Sequence, residues 1–183
     1  MSQGGGAAEE GRVTTRSRTG EDLSINRMFL RVNLGVNHYS EVDMSSVFET
    51  AKSATTAYND KNWNALKAVF AENGVYDEKA TSRRVQGVGK ILEVWQGWAN
   101  AIPDSKATFV GEYASGDTAT IEVVWKGTHT GPLQTATGTI PPSNKRIELP
   151  ACQVIKVEGG KVKSFTQYFD MVTLLTQIGA FKG

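Results

Sequence analysis

The sequence predicts an α+β domain in which helices near the N-terminal side cover one face of a curved antiparallel sheet. Three observations carry this. Apolar residues recur at helical spacing between residues 47 and 102, the period changes to two from residue 107, and short turn signals separate the later runs. Helices segregated from an antiparallel sheet pack on one of its faces. If the sheet curls around them, the two layers enclose a conical pocket lined by large apolar side chains.

Val47, Ala51, Ala54 and Tyr58 share one helical face, with Ser45-Ser46 placed to cap the start and Asn59-Asp60 to break the run. Trp63, Leu66 and Phe70 mark a second short helix. Glu72-Asn73-Gly74 is a turn, and residues 75–79 form a brief strand. Val88, Ile91, Leu92, Trp95, Ala99 and Ile102 give a third helix with a broad apolar face, ended by Pro103-Asp104. Four strands follow at 107–113, 118–129, 147–157 and 162–170, with turns at Ser115-Gly116-Asp117 and Glu158-Gly159-Gly160. The stretch 131–144, with Pro141-Pro142, is a loop that overhangs the sheet. Met171, Leu174, Leu175 and Ile178 make a last short helix stopped by Gly179.

At 183 residues, 39% apolar and 21% charged, the chain holds one globular domain with length left for a tail. Twenty Lys and Arg against 19 Asp and Glu leave a net charge of +1, too little to gather nucleic acid or an anionic membrane. No run approaches the ~20 apolar residues of a spanning helix, and no basic-then-apolar signal opens the chain, so it reads as cytosolic. One cysteine, Cys152, allows no internal disulfide, and with only His38 and His129 beside it no tetrahedral zinc site forms within the chain; no metal and no cofactor is expected. Residues 1–43, with Gly4-Gly5-Gly6 and five Arg but no Lys, read as a flexible arm or added segment. Within it Leu30, Val32, Leu34 and Val36 alternate as an edge strand would. The working domain is 44–183, with Met44 as a natural start.

Strand parity selects the inward-facing polar groups. Ile121, Val123, Trp125, Gly127 and His129 share one face, which puts the histidine on the apolar side. Ile147, Leu149, Ala151, Gln153, Ile155 and Val157 do the same, so Gln153 is a polar side chain on an apolar face, placed to orient a ligand. The last strand has no clean polar face, and parity does not decide it. Asp170 directly precedes Met171-Val172-Thr173-Leu174 and, from spacing alone, fits a helix N-cap better than a catalytic group. His129 fits a pocket role and a strand-end imidazole bonded to a loop equally well. Asp77 and Asp104 fit turn and helix-end positions, and Trp63, Trp95, Trp98 and Trp125 fit core aromatics, Trp125 with the parity of His129. Gly87-Val88-Gly89-Lys90 lacks the spacing of a phosphate loop. Arg83-Arg84 and Lys145-Arg146 are short solvated pairs.

Taken in order, Gly127-Thr128-His129-Thr130-Gly131, Gly159-Gly160-Lys161-Val162, Tyr168-Phe169-Asp170-Met171, Leu174-Leu175 and Gln177-Ile178-Gly179 resemble the SnoaL-like polyketide cyclase family of the NTF2-like superfamily. The resemblance covers most of residues 44–179. It implies a cone with a deep pocket, a homodimer paired through the outer sheet face, Asp170 as acid/base and His129 beside it. Ser164 and Thr166 depart from the family pattern, as does Pro132-Leu133 after the Gly-Thr-His segment.

On this reading the chain is a cofactor-independent cyclase or isomerase acting on a hydrophobic, carbonyl-bearing small molecule, with Asp170 and His129 catalytic and Trp125, Gln153, Tyr168, Trp95 and Asp77 contacting substrate. A carboxylate in an apolar cone has a raised pKa and serves as a general base near neutral pH. The enolate it forms closes a ring on a second carbonyl of the same molecule. The rival reading is a non-catalytic module of the same fold that holds an apolar ligand or a partner protein, with Asp170 a cap and His129 a wall residue. A weaker third reading, an epoxide-opening hydrolase, lacks an identifiable acidic cluster with its arginine.

Overall fold

The structure is a computed structural model that describes residues 44–181; the readings of residues 1–43 as an arm and of 30–36 as a strand lie outside the described residues. Helix α1 (Met44–Asn59) buries Val47, Ala51, Ala54 and Tyr58, the stripe expected from the spacing, and Thr55 and Ala57 beside it. Helix α2 (Trp63–Val69) starts at Asn62, whose side chain accepts from the Ala65 amide at 3.0 Å. Helix α3 (Val88–Ala101) buries Ile91, Trp95 and Ala99. The two long helices lie against the concave side of the sheet.

The sheet has six strands in the order β2-β1-β8-β7-β4-β3. These are β1 (Phe70–Glu78), β2 (Arg83–Gln86), β3 (Lys106–Ser115), β4 (Thr118–Thr128), β7 (Arg146–Glu158) and β8 (Lys161–Phe169). β3, β4, β7 and β8 form the expected antiparallel meander, and β1 joins β8 in parallel. Three features were not read from the sequence. β1 begins at Phe70, earlier than expected; β2 pairs with it as a hairpin; and the loop after Gly131 carries its own small hairpin, β5 (Leu133–Thr135) with β6 (Gly138–Ile140). Leu133 is buried, which anchors that hairpin to the second apolar cluster.

The last strand explains its own ambiguity. Its pairing with β7 shifts between Lys156 and Val157, a bulge that resets the alternation. Val162 therefore points inward, and so do Phe165 and Gln167, while Tyr168 points out. Helix α4 (Met171–Ile178) closes the described chain, with Asp170 as N-cap and Gly179 in the left-handed conformation (φ 76°) as its stop.

The Gly127–Gly131 motif is a clasp on the end of α3. A Cβ on Gly127 would lie 2.5 Å from Ile102 and 3.0 Å from Asp104, and one on Gly131 would collide with the Asn100 carbonyl. Between them, the Thr128 amide and hydroxyl donate to Asp104 at 2.6 and 2.9 Å, which holds that carboxylate below its usual range. The core thus falls into two apolar clusters, one beneath α1 and α3 and one between α4, β7 and this clasp.

Candidate functional site

Where the two clusters meet, packing leaves a cavity of about 60 Å³. A single water needs roughly 10–15 Å³ on the same measure, so this is space for about four heavy atoms. Six aromatic rings face it: Tyr58 from α1, Tyr76 from β1, Trp95 and Trp98 from α3, Trp125 from β4 and Phe169 from β8. Ile102, Ile147, Leu149 and Leu174 complete its apolar wall, and Ser105 and Gln167 bring polar groups. The rings lock each other edge to face, with Tyr58 5.5 Å from Trp95 and 5.1 Å from Trp125, and Tyr76 5.7 Å from Trp95.

Immediately behind Tyr76 and Trp98 sits Glu78, whose residue surface is fully buried. Its Oε2 accepts from the Tyr76 hydroxyl at 2.9 Å and the Trp98 indole N–H at 2.7 Å, and its Oε1 from the Thr81 hydroxyl at 2.5 Å. Burial, then the charge of Glu78 and the bond to it, push the Tyr76 phenol well above its ordinary value. No basic side chain pairs with Glu78 among the described ion pairs. The carboxylate is held by three neutral donors, two of which, Tyr76 and Trp98, line the cavity.

Three further polar arrangements border the cavity. Tyr58 and Ser105 share a hydrogen bond of 2.8 Å, and burial pushes the Tyr58 phenol up to about 12. Lys61 donates to the Ser105 carbonyl at 2.7 Å and sits 4.0 Å over the Tyr58 ring, and burial with the nearby Lys106 lowers it to about 8. Thr55, Gln153 and Gln167 form a buried chain of side-chain hydrogen bonds that ends at the cavity wall. The indole N–H groups of Trp95 and Trp125 are buried without an acceptor among the described residues.

The structure brings together only part of the expected site. Trp95 and Trp125 line the cavity, and Gln153 reaches it through Gln167. Asp170 does not line it. Its carboxylate is exposed and accepts from the Val172 and Thr173 amides and the Thr173 hydroxyl, so the expected rise in pKa is replaced by a fall, caused chiefly by Thr173. His129 is fully buried but stands outside the cavity lining. Its Nδ1 accepts from the Ser143 amide at 3.3 Å and lies 3.1 Å from the Ser143 hydroxyl, which leaves the ring proton on a buried Nε2 with no partner among the described residues. Burial lowers its pKa. Tyr168 projects from the outer face, 46% exposed. Asp77 also faces outward, held below its usual range by Lys79 at 2.7 Å and Arg84 at 3.1 Å.

Glu78 is a buried carboxylate beside the cavity that sequence reasoning did not single out. Parity held the signal: with Tyr76 inward, Glu78 shares its side of the strand and Asp77 does not. Among the described residues, no helix is long and apolar enough to cross a membrane, and no group of three His, Cys, Asp or Glu could hold a metal ion.

A curved sheet folded over helices around an aromatic cavity defines the NTF2-like class, the fold of ketosteroid isomerase. Solved structures agree. A candidate SnoaL-like polyketide cyclase from Jannaschia sp. CCS1 is 15% identical over 75% of this chain and 94% of that one, with a TM-score of 0.67. IdmH, a candidate polyketide cyclase from Streptomyces antibioticus, is 23% identical over 73% and 98%, at 0.62. A Catenulispora acidiphila protein of ketosteroid isomerase-like fold, in complex with trimethylamine, is 24% identical over 72% and 92%, at 0.60. No curated protein matches the chain. The sequence profile of the SnoaL-like polyketide cyclase family matches residues 49–178, and the chain belongs to that family.

Proposed function

We propose that this chain is a cofactor-independent enzyme that moves a proton on a small apolar carbonyl compound, as the opening step of an intramolecular aldol cyclisation or an isomerisation. The observation that carries the reading is Glu78, a buried carboxylate joined by Tyr76 to a cavity otherwise walled by rings and aliphatic side chains. Tyr76 meets the substrate. As its oxygen takes the proton from the carbon beside the carbonyl, its own phenolic proton passes to Glu78, so no free phenolate forms, a state its raised pKa disfavours. The carbanion's charge resides on the carbonyl oxygen as an enolate. In a cyclisation the enolate carbon attacks a second carbonyl, and the same pair returns the proton to the new alkoxide. The tight cavity contributes by holding the reacting atoms in contact. Its size suits the reacting end of a substrate.

The test is exchange of the hydrogens beside the carbonyl of acetone, a ketone of four heavy atoms that matches the cavity, in D2O. The wild-type chain is expected to accelerate it, Glu78→Gln to abolish the acceleration, and Tyr76→Phe to reduce it strongly. Exchange that survives Glu78→Gln overturns the assignment, and ligand binding with no exchange in the wild type establishes the non-catalytic reading. The outer sheet face supports a second expectation, pairing of two copies: Tyr168 and Tyr113 are exposed there, and the register of β3, β4, β7 and β8 puts both on one side. Sedimentation should show a dimer that Tyr168→Lys weakens.

A further inference from the structure

We propose that Gln167 reads the carbonyl oxygen of the ligand, and that a buried relay from Thr55 through Gln153 holds its amide with the donor end toward the cavity. This rests on the carbonyl reading above and extends it to the residues that set specificity. A side-chain amide has one accepting end and one donating end, so fixing one end fixes the other. The Thr55 hydroxyl donates to Gln153 Oε1 at 2.9 Å. That turns Gln153 Nε2 toward Gln167, where it donates to Oε1 at 3.2 Å. Gln167 is left with Nε2, which has no protein acceptor among the described residues, on a side chain that lines the cavity. Thr55 and Gln153 are fully buried, so no bulk water competes for either bond.

The chemistry follows from that polarity. A carbonyl oxygen accepts from Gln167 Nε2, whereas a hydrocarbon of the same shape gives it nothing and an ammonium group opposes it. Position adds a second requirement. Gln167 pairs in register with Glu78 on the neighbouring parallel strand, at the usual strand spacing of about 4.8 Å. A ketone whose oxygen rests on Gln167 has the carbon beside its carbonyl within reach of the Tyr76–Glu78 pair, and the enolate oxygen formed there keeps the same donor. Gln167 is thus the ligand-contacting residue, and Gln153 and Thr55 are positioning residues.

Binding of acetone and of 2-methylpropene, which has the same outline but no acceptor, can be followed on the full chain through the indole N–H resonances of Trp95, Trp98 and Trp125. One neutral hydrogen bond should give the ketone about a three- to tenfold preference. Gln167→Met should bind both with a ratio near one. Thr55→Val should lower the preference and Thr55→Ser restore it, a rescue that deformation of the cavity would not produce. If Gln167→Met does not fold, the Thr55 pair decides the question alone. A wild type without ketone preference, or a preference unchanged in Gln167→Met or in Thr55→Val, overturns the relay. Glu78→Gln separates the two ideas: a ratio kept while exchange is lost supports both, and exchange surviving with the ratio intact removes only the proton-transfer assignment. Failure of both probes to bind removes both.

Discussion

Glutamine at position 78 should preserve the fold where leucine should not. In Glu78→Gln the amide oxygen can take the place of Oε2 and keep the bonds from Tyr76 and Trp98, while the amide nitrogen donates to Thr81, whose hydroxyl reverses to accept. All three contacts survive, and the expected change in stability is within about 1 kcal/mol. Glu78→Leu removes every acceptor. The Tyr76 hydroxyl, on a side chain 1% exposed, is stranded at about 1–3 kcal/mol, and the half-buried Trp98 and Thr81 donors add less, for a sum of roughly 2–5 kcal/mol. In a domain of this size that lowers the melting temperature by about 6–15 °C. Thermal denaturation followed by circular dichroism, beside the exchange assay, gives both readings on the same samples. A Gln variant that melts as low as the Leu variant would show that the charge, not the acceptor geometry, organises this corner, and a Leu variant that melts like wild type would show that the three donors do not depend on Glu78.

His129 gives a signed pH effect. Burial lowers its folded pKa, so below the unfolded value of about 6.5 the unfolded state binds more protons; stability is complete above that pH, falls as pH drops through the window beneath it, and should flatten in His129→Gln when melting is measured from pH 7 to 5. Asp170→Asn should leave exchange at the wild-type rate, and Asp170→Ala should lower thermal stability by removing the α4 cap. The cap's contribution is present above about pH 3.9 and is lost as pH falls below it toward the depressed folded value. Gly127→Ala should destabilise by roughly 1–3 kcal/mol in chemical denaturation, because its Cβ has no room beside Ile102 and Asp104.

The layered architecture was legible because it depends on period alone: the faces of α1 and α3 and the inward sets of β4 and β7 match the buried residues. β8 was not, because a bulge shifts its parity midway, and a bulge leaves no mark in an alternating pattern. The site divided along the same line. Gln153 stood out as a lone polar group on a cleanly apolar strand face, and it lies in the relay at the cavity wall. Asp170 drew attention through a motif that organises a helix start, and the Gly-Thr-His motif through residues that grip the end of α3. Glu78 was hidden because its strand was expected to be brief and its neighbour Asp77 offered the more familiar acid.

The parallel seam between β1 and β8 has a consequence for how the molecule comes into being. Among the described strands Glu78 belongs to the first made and Gln167 to the last, and they meet only across the β1–β8 pairing. A nascent chain that still lacks β8 carries the acid without the amide, so the hollow described above is complete only once that strand has been made and the sheet sutured across its width.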